Sequence, residues 1–134
     1  MSQSEELIAL AMQARERAYA PYSGYSVGCA LLADGALYQG ANVENASYGL
    51  ALCAERSAVA AAVMGGARAI QELAVVTASS PPAAPCGMCL QTLTEFAPDP
   101  AAVKVWLVNP GGERRAVTLA ECLPYGFRRD QLRR

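Results

Sequence analysis

Ser26-Val27-Gly28-Cys29-Ala30-Leu31-Leu32-Ala33-Asp34-Gly35-Ala36-Leu37-Tyr38-Gln39-Gly40-Ala41-Asn42-Val43 is the stretch that decides the fold. Two apolar runs, Ser26 to Ala33 and Ala36 to Val43, flank Asp34-Gly35. Asp-Gly tolerates the positive φ angles of a two-residue hairpin turn, so the stretch predicts two antiparallel strands. Downstream, Cys53 to Met64 reads as an alanine-rich helix stopped by Gly65-Gly66. Leu73 to Thr77 reads as a short buried strand, followed by a loop rich in Ser and Pro from Ala78 to Pro85. Gly87 to Phe96 is helical and ends before Pro98. Val103 to Val108 is a strand ended by Asn109-Pro110-Gly111-Gly112, and Thr118 caps a short last helix through Leu123. Upstream, Ser2 to Ala18 is an amphipathic helix with Ser2 and Glu5 as a capping box; Pro21 closes it. The order α-β-β-α-β-α-β-α predicts an α/β fold, a three-layer sandwich with a mixed central sheet flanked by helices. Helices between the later strands permit parallel pairing there. No repeat or linker divides residues 1–134, which read as a single catalytic domain.

Composition narrows the function. Hydrophobic residues make up 53% of the 134, enough for one substantial core and little disorder. No apolar run is long enough to span a bilayer, and Ser4-Glu5-Glu6 is acidic where a secretory signal would be basic, so the expected location is the cytoplasm. With 11 basic and 12 acidic residues, only the tail from Phe127 to Arg134 is locally basic, which disfavours a nucleic acid polymer as partner. Five cysteines and no histidine argue against a disulfide framework. Any metal must then be held by Cys, Asp or Glu.

Two motifs carry the chemistry: Cys53-Ala54-Glu55-Arg56 and Pro85-Cys86-Gly87-Met88-Cys89, each opening a helix. Cys86 and Cys89 share one helix face, and Cys53 would complete three thiolate ligands for zinc with a fourth place open, the catalytic arrangement. Residues two apart inside a helix point about 200° apart. Cys53 and Glu55 can therefore approach one metal only if Cys53 sits at the helix entry, where the backbone is not yet helical. Zinc brings the pKa of a bound water near neutrality, and Glu55 is placed to move that water's proton; a Cys₃ site with a non-ligand Glu is also the general pattern of zinc deaminases. Three thiolates leave the ion with negative charge, which two helix N-termini and Arg56 would offset. Cys29 and Cys122 read as packing thiols.

The chain resembles the small homotetrameric cytidine deaminases. The resemblance runs from Ala18-Tyr19-Ala20-Pro21-Tyr22-Ser23 through Gly40-Ala41-Asn42-Val43-Glu44-Asn45-Ala46 and both cysteine motifs to Leu123-Pro124-Tyr125-Gly126-Phe127. It implies hydrolytic deamination of cytidine and deoxycytidine in pyrimidine salvage, with one Zn²⁺ per chain held by Cys53, Cys86 and Cys89 and with Glu55 as proton shuttle. It also implies that Asn42 and Glu44 hold the ribose hydroxyls, and that Tyr25, Ala54 and Phe127 contact substrate. Ala46 and Tyr48 would belong to a segment reaching a neighbouring subunit. Leu90 stands where the family commonly carries an Arg that donates to the zinc thiolates, so Arg56 is expected to carry more of the charge compensation, unless Gln91 donates to a thiolate. Two competing readings are a structural zinc or RNA-binding module, which would want a fourth ligand, and a deaminase of another substrate on the same scaffold.

Overall fold

The computed structural model describes residues 2–132. It contains helix α1 (Gln3–Arg15), strands β1 (Gly28–Ala33) and β2 (Ala36–Ala41), helix α2 (Ala54–Met64), strand β3 (Ile70–Val76), helix α3 (Gly87–Glu95), strands β4 (Lys104–Val108) and β5 (Arg114–Thr118), and helix α4 (Leu119–Cys122). Met1 and the last two arginines of the basic tail, Arg133 and Arg134, lie outside the described residues.

The five strands form one sheet in the order β2-β1-β3-β4-β5. β1 pairs antiparallel with both β2 and β3, β3 pairs parallel with β4, and β4 pairs antiparallel with β5. The parallel pair is the one bridged by α3, as a crossover requires. Alternating side chains divide the sheet between two cores. Cys29, Leu31, Leu73, Val75, Val105 and Leu107 pack on the face covered by α2 and α3. Ala30, Leu32, Ala74, Val76 and Val108 pack on the opposite face with Leu7, Ile8 and Ala11 of α1. Because both faces are covered, β1 is buried at every position and reads as one apolar run. The expected three-layer α/β sandwich is therefore the observed one.

The hairpin turn has φ of 48° at Asp34 and 80° at Gly35, as Asp-Gly predicts. Asp34 also accepts from the backbone N–H of Arg68, which joins the turn to the chain entering β3. Between β2 and α2 the backbones nearly touch: a Cβ added at Gly40 would lie 2.3 Å from the Ala58 nitrogen and 2.7 Å from the Ala54 oxygen. That approach sets the height of α2 above the sheet, and with it the first turn that carries Ala54 and Glu55.

Several element boundaries differ from the sequence expectation, among them the end of β2 at Ala41 where Val43 was expected, and one strand is additional. α1 ends at Arg15, not Ala18; past Ala14 no residue of this helix is buried, and the Arg15 Nε instead donates to the Ser26 carbonyl. The strand expected from Ser26 begins at Gly28. β3 begins at Ile70, three residues before the expected start, because Gln71 and Glu72 interrupt the apolar pattern. The Glu72 carboxylate is nonetheless satisfied inside the fold, accepting from Ser4 Oγ at 2.6 Å and Trp106 Nε1 at 2.7 Å. β5 was not expected; its residues Arg114, Arg115 and Ala116 are exposed, and pairing with β4 makes it a strand.

Candidate active site

Each cysteine motif opens a helix with its first cysteine at the N-cap. Cys53 caps α2 with φ −73° and ψ 154°, and Cys86 caps α3 with φ −69° and ψ 166°. Both are extended, so the backbone turns into the helix one residue after the cysteine. This is the entry geometry that lets Cys53 and Glu55 face the same space. The Cys53 sulfur makes no capping hydrogen bond to its helix. The Sγ atoms of Cys53, Cys86 and Cys89 lie within 4.8 Å of one another, with Cys86 and Cys89 at 3.5 Å. Tetrahedral zinc with Zn–S bonds of about 2.3 Å sets its sulfurs about 3.8 Å apart, so the cluster needs only small side-chain adjustments to take the ion. Among the described residues these three form the one such group, which leaves a fourth coordination place for something other than protein.

The electrostatics fit a soft cation. Burial, followed by the Glu55 charge and the sulfurs of Cys86 and Cys53, pushes the Cys89 thiol far up. At Cys86 burial acts upward too, but the backbone N–H groups of Cys89 and Met88 and the neighbouring thiols outweigh it and hold this thiol below its ordinary range. A cation would stabilise all three as thiolates. Positive potential comes from the N-termini of α2 and α3 and from Arg56. The Arg56 Nη2 lies 3.7 Å from Cys53 Sγ and donates to the Ala51 carbonyl at 3.3 Å. The Cys53 sulfur is the main reason that the guanidinium is held even more firmly protonated.

Beside the sulfurs opens a cavity of about 330 Å³, at the lower end of the range for small-molecule sites. Its walls are drawn from Ser23, Tyr25, Val27, Asn42 and Glu44, from Val75, Thr77, Ala83, Ala84 and Cys86, and from Cys53, Ala54 and Glu55 at the start of α2. Glu55 is only 5% exposed, and burial pushes its carboxyl above the usual carboxylate range, against smaller lowering by its own backbone N–H and by Arg56. It is a carboxyl group able to hold a proton next to the metal cluster.

A family model for the cytidine and deoxycytidylate deaminase zinc-binding region matches residues 1–105. The chain belongs to this deaminase family. It is 44% identical over 129 residues to the cytidine deaminase of Sporosarcina psychrophila, spanning 96% of this chain and 93% of that one. It is 48% identical over 122 residues to the cytidine deaminase of Halalkalibacterium halodurans, spanning 90% and 91%. The crystal structure of cytidine deaminase from Burkholderia pseudomallei superposes with a TM-score of 0.87 at 44% identity, covering 95% of this chain and all of that one.

In this member of the deaminase family the sequence-predicted residues converge with one exception. Cys53, Cys86, Cys89, Glu55, Ala54, Tyr25, Asn42 and Glu44 all border the cavity or its metal cluster. Phe127 does not. It lies half-exposed in a separate groove with Thr94, Pro98 and Arg128, so within one chain it reaches no group of the site. Gln91 explains its position: the Gln91 amide donates to the Phe127 carbonyl at 2.6 Å and accepts from the Phe127 N–H at 3.1 Å. The amide is thus committed to docking the tail on α3 and does not serve the thiolates. Leu90 is buried in the core under α2 and α3, which leaves Arg56 as the cation beside the sulfurs. Cys29 is fully buried and Cys122 packs against the same core, consistent with packing thiols.

The pair Asn42 and Glu44 is more committed than its sequence suggests. Asn42 accepts from the Val27 N–H at 2.8 Å and donates to the Tyr25 carbonyl at 2.9 Å. Glu44 accepts from the N–H groups of Tyr22 and Ser23 and from the Ser23 hydroxyl, which keeps its carboxylate below the usual range. Both therefore shape the 22–27 segment as well as lining the cavity. Sequence reasoning missed Ser23, Thr77, Ala83 and Ala84, which only the tertiary fold brings to the site.

Proposed function

We propose that this chain is a zinc-dependent cytidine deaminase, converting cytidine and deoxycytidine with water to uridine and deoxyuridine plus ammonia. The observation that carries the reading is the buried carboxyl of Glu55 lining a cavity of about 330 Å³, beside three converging sulfurs. Cys53, Cys86 and Cys89 would hold one Zn²⁺ per chain, whose Lewis acidity would make water a nucleophile near neutral pH. Glu55 takes the proton of the attacking water, gives a proton to the ring nitrogen next to the attacked carbon, and then protonates the departing amine. Tyr25 and Ala54 border the base, Asn42 and Glu44 receive the ribose, and Arg56 offsets the thiolate charge.

Residues 1–134 act in this reading as one catalytic unit within a homotetramer. The exposed aromatic and aliphatic side chains Tyr22, Tyr48, Leu50 and Leu52 around the site support assembly, as does a neighbouring cavity of about 370 Å³ lined by Tyr22, Glu44 and Tyr48. Phe127, which lines a different groove of its own chain, serves another subunit in this reading. A role in pyrimidine salvage in the cytoplasm follows from the reaction; no described helix is long and apolar enough to cross a membrane. The test is ammonia release across a panel of cytidine, deoxycytidine, cytosine, blasticidin S and a short RNA. Turnover of the two nucleosides, with little on the others, is expected. A preference for cytosine or RNA would overturn the ribose assignment and the small-substrate reading respectively.

A further inference from the structure

Asn109 is a buried polar residue outside the site, only 4% exposed, at the end of β4. Its amide nitrogen donates to the Ser79 carbonyl at 3.1 Å and to Glu113 Oε1 at 2.7 Å, while its oxygen accepts from the Glu113 N–H at 3.0 Å. Glu113 in turn accepts from the Ser80 hydroxyl. The turn after β4 therefore grips the segment of residues 78–85 at two successive residues. From the other direction, Thr77 Oγ1 accepts from the N–H groups of Ser79 and Ala83 at 3.3 and 3.5 Å. The segment so held supplies Ala83 and Ala84 to one wall of the cavity and leads directly into Cys86.

The same segment is tied to Tyr25, which also lines the cavity. The hydroxyl of Tyr25 and the hydroxyl of Ser79 lie 2.6 Å apart. Tyr25 belongs to the wall shaped by Asn42 and Glu44. Ser79 is thus the joint: its side chain meets one wall, and its carbonyl is held by Asn109. A flexible Ser- and Pro-rich loop has no reason of its own to keep a fixed distance from Tyr25. A buried amide with all its bonds directed at the loop and its own turn provides one.

We propose that Asn109 is a positioning residue for nucleoside binding, acting through Ser79 to hold the 78–85 segment at the distance from Tyr25 that the nucleoside needs. This rests on the deaminase reading given above. Asn109→Ala loses the direct bond to the loop at Ser79 and the bonds to Glu113, which itself holds Ser80, so the KM for cytidine and the Kd for uridine should each rise by about tenfold, in line with the net worth of buried hydrogen bonds. The kcat should change by less than about threefold, because the sulfurs and Glu55 ride on α2 and α3. Zinc content should stay at that of the wild type.

The alternative is that Asn109 merely stabilises its own turn, since its carbonyl also accepts from the Gly112 N–H. Gly112→Ala serves as the control. Gly112 has φ +96° with open space around it, so alanine strains this turn while leaving the Asn109 side chain in place. It should lower Tm without moving KM. Tyr25→Phe keeps the ring and removes the bond to Ser79; its effect on KM should be smaller in the Asn109→Ala background than alone, since the joint is already slack. Asn109→Leu, which is close in size but cannot donate to Ser79 and adds no charge beside Glu113, gives the same readouts should the alanine variant fail to fold. Asn109 variants that lower Tm but leave KM and the uridine Kd unchanged, or effects of Tyr25→Phe that are fully additive, would overturn the proposal. Wild-type ammonia release from cytidine tests the deaminase reading separately, and the ratio of uridine Kd values between variant and wild type tests the positioning.

Discussion

Gly40→Ala probes whether the seat of α2 on the sheet sets the geometry of the site. The added Cβ would meet the Ala58 nitrogen at 2.3 Å, the Ala54 oxygen at 2.7 Å and the Ala58 Cα at 2.8 Å. Non-bonded contacts settle near about 3.5 Å, so α2 must retreat from β2 by roughly 1 Å. All three atoms are backbone, and no rotamer change relieves them. Overpacking of this kind costs about 1–3 kcal/mol, which lowers Tm by several degrees in a chain of this size. The site should suffer more than the fold. Cys53 and Glu55 travel with α2, whereas Cys86 and Cys89 travel with α3. A misplacement of about 1 Å between reacting groups is enough to cost on the order of 10²-fold in rate. Thermal melting, zinc content after chelator dialysis and steady-state ammonia release read the three effects. Gly40→Ala is expected to remain folded, to lose zinc more readily and to drop in kcat/KM by about ten- to a hundredfold. Wild-type zinc retention with unchanged kcat/KM would refute the claim that this contact positions the centre.

Three further outcomes are expected. Arg56→Ala should lose zinc faster to a chelator and shift the activity profile to higher pH, because among the described residues Arg56 is the cation beside the thiols; Leu90→Arg should not rescue it, since that position is buried in the apolar core and would strand a guanidinium there. Glu44→Gln should raise the KM for cytidine and lower kcat while leaving any activity on cytosine unchanged, because the lost contacts are to ribose; equal losses on both would show that Glu44 acts only by holding Tyr22 and Ser23. The exposed pair of Glu5 and Arg114 ties α1 to the edge strand, and the guanidinium hydrogen bond holds the Glu5 carboxyl below its ordinary range. Its stabilisation is present above the unfolded-state pKa and is lost as pH falls through the lower folded value, so the Tm gap between wild type and Glu5→Gln should close in acid and in about 1 M salt; a gap that persists in both would rule the pair out as its source.

The sequence announced some parts of this molecule and concealed others for identifiable reasons. The hairpin was legible because Asp34-Gly35 is a local signal, and α2 and α3 because cysteine motifs, alanine content and glycine or proline stops coincide. The entry geometry of Cys53 followed from helix periodicity alone. β5 was hidden because Arg114-Arg115-Ala116 carries no burial pattern; only the edge of β4 makes it a strand. Glu72 hid the start of β3 because its partners, Ser4 and Trp106, lie far away in sequence. In the site, the residues with distinctive chemistry were readable, while Ser23, Thr77, Ala83 and Ala84 were not, since small residues become walls only by tertiary placement. Gln91 illustrates the reverse. Its neighbourhood suggested the thiolates, but the amide turned out to be occupied by the backbone of Phe127.

The most direct test of the account is Glu55→Gln, measured for zinc content, for uridine binding and for ammonia release from cytidine. Wild-type zinc is expected, because Glu55 is not among the converging ligand atoms. Nucleoside binding should stay within a few-fold of wild type, with turnover reduced beyond the ~10²–10⁴ of a single acid–base step, since one carboxyl serves several transfers. Zinc-loaded Glu55→Gln that still releases ammonia at near the wild-type rate would contradict it.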